Sequence, residues 1–250
     1  MFRKHLLILL LPAVGCASVS RKVDTIRWQC DPRDVVFAVN GAGGFHGLSD
    51  TLQSEISRQH VPLAVATFDW THGYGRVVAD QIDHAHIRCQ GVRLAESIVT
   101  RKQNFPQSRI LIVAHSAGCA VALAAAESVP LGYIDRMVLL APAVSTGYDL
   151  RPSLRASKKG IDVFTSERDG YLVLGSVFLG TVDRCRMCPV AGRRGFEPIV
   201  QSAEDSILYA KLRQYAWGRW AIPAGHYGGH FGAYHPRHLR AYVLPLLIRP

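Results

Sequence analysis

Ile110-Leu111-Ile112-Val113-Ala114-His115-Ser116-Ala117-Gly118 runs directly into Cys119-Ala120-Val121-Ala122-Leu123-Ala124-Ala125-Ala126-Glu127, and this pair of segments decides the fold class. Ile110 to Ala114 has strand composition, and the Ala-rich run after Gly118 reads as a buried helix. Between them stands a serine flanked by small residues. A strand, a sharp turn with serine at its apex and a helix behind it make an ordinary hydroxyl an exposed nucleophile. The turn is strained, so only Gly, Ala or Ser fits two residues before and after the serine. Ala114 occupies the place of the first glycine in the full Gly-x-Ser-x-Gly pattern. The plainer alternative is a strand-to-helix turn in which Ser116 only caps the helix.

Outward from this turn, strands and helices alternate. Asp34 to Val39 reads as a buried strand, followed by the glycine-rich turn Asn40-Gly41-Ala42-Gly43-Gly44. Leu48 to His60 has helical spacing, Leu63 to Phe68 is a second strand, and Val78 to Asn104 reads as a helix stopped by Pro106. Past the serine helix come a strand within Ile134 to Ala141, a short basic helix around Leu154 to Lys159 and the strand Ile161 to Thr165. Tyr171 to Val182 is a helix or a site wall, Cys185 to Pro198 a loop, Glu204 to Ala216 an amphipathic helix, and Pro236 to Ile248 a closing helix. Strands this continuously apolar belong to a mostly parallel sheet covered by helices on both faces, an α/β fold.

A serine nucleophile needs a base, the base an orienting acid, and the oxyanion hydrogen-bond donors. One sheet fold places the first three in the order Ser, acid, His. Ser166-Glu167-Arg168-Asp169-Gly170 follows the strand ending at Thr165, where ligand chemistry gathers in parallel sheets. Asp169 is the expected acid, ahead of Glu167 and then Asp162. Gly225-His226-Tyr227-Gly228-Gly229-His230-Phe231-Gly232-Ala233-Tyr234-His235 offers three bases. Glycines around His230 let a loop bring it close to the serine, so His230 is preferred over His226 and His235. His46, His72, His84 and His86 precede the serine and read as surface or packing residues. The backbone N–H of Ala117 is one expected oxyanion donor. The turn after Val39 supplies the other, Ala42 first and Gly41 next. That glycine cluster has neither the spacing nor the lysine of a P-loop, which sets aside a phosphate cradle.

With these pieces in place, the chain resembles the α/β-hydrolase superfamily from Asp34 to Arg249. The likeness rests on Asn40-Gly41-Ala42-Gly43 for the oxyanion turn, Ala-His-Ser-Ala-Gly for the elbow, Ser-Glu-Arg-Asp for the acid turn and Gly-Gly-His-Phe-Gly for the base loop. Asn40 stands in place of the superfamily's usual His, and Ala114 in place of Gly; neither change removes a reacting group. The resemblance implies a compact α/β-hydrolase domain over 34–250 and a Ser116–His230–Asp169 triad. It says little about substrate. The segment from Ala141 to Lys159 is too short for a large cap, so the site is expected to be open, walled by Trp70, Tyr171, Leu172 and Leu174. The leading expectation is a serine hydrolase of carboxylic esters needing no metal or organic cofactor. Thioesterase, amidase or acyltransferase chemistry on the same triad stays open, as does a binding module with an idle serine.

The first residues point to export. Phe2-Arg3-Lys4-His5 is a basic start, Leu6 to Val14 a short apolar run, and Ala13-Val14-Gly15-Cys16 resembles a lipobox. The expected plan is a signal peptide over 1–15, lipidation of Cys16 and a tether over 16–33, anchoring the protein to the bacterial cell envelope. Plain export with cleavage near Ala17 or Ser18, or an uncleaved anchor, are the other readings. Of six cysteines, Cys16 belongs to this segment and Cys119 reads as core packing. Cys185 and Cys188 suit a local disulfide in an oxidising compartment, with no second pair for a metal site. Nothing decides whether Cys30 and Cys89 pair. The net charge is +10, which favours anionic surfaces or simply solubility. No basic helix or aromatic-interleaved patch argues for nucleic acid, and nothing fixes the oligomeric state.

Overall fold

The computed structural model describes residues 33–185 and 187–248. The signal segment, Cys16, Cys30 and all but the last residue of the tether lie outside the described residues. Among the described residues six strands form one parallel sheet: β1 (Asp34–Val39), β2 (Leu63–Phe68), β3 (Ile110–His115), β4 (Arg136–Leu140), β5 (Ile161–Thr165) and β6 (Leu212–Ala216). Their order across the sheet is β2-β1-β3-β4-β5-β6, every neighbouring pair parallel. The chain leaves β1 to one side for β2 and returns to the other side for β3. The crevice beyond the C-terminal ends of β1 and β3 is therefore a topological switch point, where open parallel sheets bind ligands.

Both faces of the sheet are buried, and the strand alternation sorts the core into two layers. Val35, Phe37, Val39, Ile110 and Ile112 pack with α3 (His84–Asn104) and α4 (Gly118–Glu127). Val36, Ala38, Leu111, Val113 and Val138 pack with α1 (Gly47–Arg58) and with the C-terminal helical run. Burial on both faces is why these strands are apolar without interruption. Among the described residues no helix is long and apolar enough to cross a membrane.

The structure corrects several sequence expectations. Val78 to Asn104 is two helices, α2 (Val77–Ile82) and α3, broken at Asp83. The Asp83 side chain accepts the His86 N–H at 2.9 Å and starts the second helix. The short basic helix lies earlier than expected, as α5 (Arg151–Ala156), with Pro152 in its first turn. The segment Cys185 to Pro198 is not all loop, since it holds the short α7 (Ala191–Arg194).

The larger correction concerns Glu204 to Ala216. Only α8 (Ala203–Tyr209) is helical, and the rest is the sheet's edge strand β6. Its polar residues face particular partners and not a solvated helix side. Arg213 Nε donates to Asp162 Oδ1 at 2.7 Å and the Tyr215 hydroxyl to the same oxygen at 3.0 Å. Gln214 bonds both ways with the Phe196 backbone. Side-chain pairing of this kind leaves no trace in hydrophobic periodicity.

Residues 141–160, between β4 and β5, carry only α5. The longer excursion lies after β5, where α6 (Gly170–Leu179), a segment closed by the Cys185–Cys188 disulfide, and α7 fold back on the loop after β4. Val182 N–H reaches Ala143 O at 3.0 Å and Ser166 N–H reaches Gly192 O at 2.8 Å, so this excursion also steadies the acid turn.

Candidate active site

β3 ends at His115, and Ser116 stands at φ +54°, a left-handed conformation that non-glycine residues adopt at a cost of about 1–3 kcal/mol. The turn is held from both sides. Ser116 N–H donates to Leu140 O at 3.0 Å, and Ser116 O accepts from Cys119 at 3.1 Å and Ala143 at 3.2 Å. Gly118 lets α4 approach the end of β1. A Cβ there would overlap the Asn40 carbonyl oxygen and stand 2.7 Å from that of Val39. Both are backbone atoms at the sheet's centre and cannot rotate aside. Gly118→Ala is therefore expected to lose about 3 kcal/mol of stability. That lowers the thermal midpoint by roughly 6–12 °C in a domain of this size. A midpoint within about 2 °C of wild type would refute the close-approach argument.

His230 comes from the loop after β6, in a short 3-10 turn (His230–Tyr234). Its Nε2 lies 2.9 Å from Ser116 Oγ and its Nδ1 2.7 Å from Asp169 Oδ2. All three side chains are buried. A carboxylate can only accept, so Nδ1 carries the proton donated to Asp169 and Nε2 is left to accept from the Ser116 hydroxyl. Asp169 Oδ1 accepts the Leu172 N–H at 3.0 Å, which fixes the rotation of the carboxylate. Ser166 Oγ donates to Gly228 O at 2.6 Å and ties the acid turn to the base loop. The Tyr171 ring stacks on the imidazole, centroids 4.7 Å apart and planes 16° from parallel.

The alternatives to these residues sit elsewhere. Glu167 is exposed. Asp162 is buried within the sheet, bonded to Arg136, Arg213 and Tyr215. His226 Nδ1 accepts the Gly228 N–H at 3.2 Å, and His235 Nδ1 bonds Ala224 O at 3.0 Å. Both serve the loop's own backbone. Cys119, directly behind the turn, is buried, and burial pushes its thiol far above the usual range. Its neutral sulfur is no nucleophile.

The turn after β1 faces the serine. An added Cβ on Gly41 would lie 3.3 Å from Ser116 Cβ. Asn40, Gly41 and Ala42 all line the pocket at Ser116. Among the described residues, neither the Ala42 N–H nor the Ala117 N–H makes a hydrogen bond. The turn is braced by side chains that sequence reasoning missed. Asp80, fully buried, accepts the Gly43 N–H at 2.7 Å through Oδ2 and the His72 N–H at 2.7 Å through Oδ1. Asn40 exchanges hydrogen bonds with Ser49, its Nδ2 donating to Oγ and its Oδ1 accepting the N–H. A carboxylate one turn into a helix gives no sequence signal of such a role.

The pocket has a volume of about 240 Å³. Its walls differ from expectation. Tyr171 and Leu174 line it, but Trp70 and Leu172 do not. Trp70 is buried in the core and donates Nε1–H to Asn40 O at 2.8 Å, supporting the turn from behind. Leu172 points into the same core layer, because successive residues of α6 lie on different sides of the helix. The apolar lining comes instead from Phe45, Leu48, Val77, Leu179, Phe231 and Tyr234. Among the described residues no group of three or more His, Cys, Asp or Glu side chains is placed to hold a metal ion.

The sequence pattern of the alpha/beta hydrolase family matches residues 35–249. The chain belongs to that family. Solved structures to which the chain shows distant similarity include a protein of Xanthomonas campestris pv. campestris described as a hydrolase of the alpha/beta superfamily. It is 16% identical, with 86% of this chain and 99% of that one covered, at a TM-score of 0.44. An esterase of Pyrococcus furiosus is 14% identical over 87% of this chain and 80% of its own, with a TM-score of 0.43. A Trichoderma reesei cutinase bound to a phosphonate inhibitor is 15% identical over 88% and 79%, with a TM-score of 0.40. Likenesses this distant say nothing about substrate. A comparison with curated proteins finds no match.

In this alpha/beta hydrolase the base loop rests on neutral imidazoles. Burial holds His226 down to about 4 and His238 likewise to about 4. His115, beneath the His230 ring at 4.5 Å, is held well below the ordinary value by burial and by that neighbour. In the unfolded chain such groups titrate near about 6.5. Between about pH 6.5 and about pH 4 the unfolded chain thus binds protons that the fold excludes, so stability falls as pH falls across that window. The urea midpoint is expected to be clearly lower at about pH 5 than at about pH 7, with a shallower dependence in His238→Gln. Equal midpoints at the two pH values would show that these histidines protonate without disturbing the fold.

Proposed function

We propose that the protein is an exported serine hydrolase that cleaves carboxylic esters through an acyl-enzyme on Ser116. The observation that carries this reading is the hydrogen-bonded line from Ser116 Oγ through His230 to Asp169, at 2.9 Å and 2.7 Å, beside two unengaged backbone donors. As Oγ attacks the acyl carbon, His230 Nε2 takes its proton, and Asp169 stabilises the imidazolium that forms. The Ala117 and Ala42 N–H groups donate to the tetrahedral oxyanion, each such donor being worth about 10²–10³ in rate. His230 then protonates the departing alcohol oxygen. A water molecule, deprotonated by the same nitrogen, attacks the acyl carbon and frees the acid and Ser116. The burial and high titration of Cys119 support oxygen over sulfur as the attacking atom.

A fluorophosphonate probe tests the reading. The wild-type protein is expected to become covalently labelled, with the mass addition on the peptide containing Ser116 and none elsewhere. A folded protein that takes no label, or takes it on another residue, would overturn the proposal and leave a binding module with an idle serine. Export and lipidation at Cys16 rest on the sequence of residues 2–16, and mass spectrometry of the mature N-terminus checks them. A mature chain that begins beyond Cys16 would leave simple export in their place.

A further inference from the structure

The pocket opens in the middle of an apolar surface. Tyr74 is 82% exposed and Phe178 78%. Phe45, Val78, Ile82 and Leu174 are exposed as well. Contacts join these residues into one rim. The Phe45 and Tyr74 rings meet edge to face with centroids 5.2 Å apart. A Cβ on Gly43, two residues before Phe45, would stand 2.7 Å from Val77 Cγ2, at the start of the helix that carries Val78 and Ile82. Across the pocket, the Gln81 side chain comes within 3.8 Å of the same point on Gly175, in the helix that carries Leu174 and Phe178. The ring closes where Tyr171 meets Phe231, centroids 5.6 Å apart. That second helix, Gly170–Leu179, contains no charged residue.

Contiguous exposed apolar surface of this kind marks an interaction site. A protein or a second copy seated here would stopper the pocket, whereas a lipid surface would feed an acyl chain into it. Charge favours the same occupant. The chain carries a net +10, with Arg76 exposed between Tyr74 and Val78 and Arg184 exposed beyond the end of the Gly170–Leu179 helix. Asp83, which follows Ile82, is taken up by the His86 N–H and by His72 at 3.3 Å, so Arg76 is the uncompensated charge between Tyr74 and Val78 and suits a surface of anionic headgroups. We propose that this rim seats the mouth of the site on an anionic lipid surface, so that the ester cleaved is one embedded in it. The second half of this statement rests on the esterase reading; the docking itself does not.

The test compares the full chain with Tyr74→Glu/Phe178→Glu and with Val78→Glu/Ile82→Glu, none of which lines the pocket. Each is made in a Ser116→Ala background and sedimented with vesicles of phosphatidylcholine and phosphatidylglycerol. All three proteins are produced without lipidation, so Cys16 carries no acyl chain and residues 1–32 give them no lipid anchor. Both pairs are expected to partition at least about tenfold less than the parent. The parent itself should bind pure phosphatidylcholine vesicles several-fold more weakly. With Ser116 restored, hydrolysis of soluble p-nitrophenyl acetate should stay within about twofold of wild type. Unchanged partitioning in both pairs, equal binding to neutral vesicles, or a wild-type dimer that both pairs abolish would overturn the docking proposal. Loss of partitioning with no hydrolysis by any of the proteins would uphold the docking and refute the esterase.

Discussion

Ser116→Ala is expected to hydrolyse a p-nitrophenyl ester about 10⁵–10⁶-fold more slowly than wild type, and adding His230→Ala should change little further. The oxygen and the imidazole act on one proton, so removing either disables both. Their buried 2.9 Å contact leaves His230 no second partner on that nitrogen except substrate or water. The double variant matters because it separates two mechanisms. If His230 could activate water directly, the serine variant would keep measurable activity and the second substitution would remove it. The residual rate of both variants should come from the Ala42 and Ala117 donors and from binding alone. A serine variant within about a hundredfold of wild type would sink the acyl-enzyme reading, whatever the probe labels.

What could be read from the sequence, and what could not, follows from how each feature is encoded. The strands β1, β3 and β4 hold contiguous apolar runs because both of their faces are buried, and contiguity is visible in one dimension. The nucleophile turn shows itself through small residues required by crowding at Gly118. Asp169 stood out because it lies just past the end of β5, and His230 because glycines on both sides free its loop to approach the serine. β6 did not, since Arg213 and Tyr215 satisfy Asp162 across a strand and mimic the polar side of a helix. The pocket walls were hardest. Whether Leu172 or Leu174 meets substrate depends on the rotation of one helix against the core. Asp80 was invisible for a similar reason: its partners, Gly43 and His72, lie in separate loops.

Asp169→Asn is expected to lower kcat by about 10⁴ while leaving the fold intact. The argument is specific to the hydrogen bonds of this carboxylate. Oδ1 accepts the Leu172 N–H at 3.0 Å, and Oδ2 faces His230 Nδ1 at 2.7 Å. An asparagine must keep its carbonyl oxygen toward the Leu172 N–H, because the opposite orientation sets two donors against each other. Its NH₂ group then points at Nδ1 and forces that nitrogen to accept. The imidazole proton moves to Nε2, which can no longer take the proton of Ser116. Shape, packing and the Tyr171 stack are unchanged, so the thermal midpoint should move by only a few degrees. The readout that isolates this mechanism is the tautomer: imidazole ¹⁵N shifts should place the proton on Nδ1 in wild type and on Nε2 in the variant. The substrate KM should change far less than kcat, since the carboxylate touches no substrate atom. A variant within about tenfold of wild type, or one whose imidazole keeps its proton on Nδ1, would remove Asp169 from the role of acid.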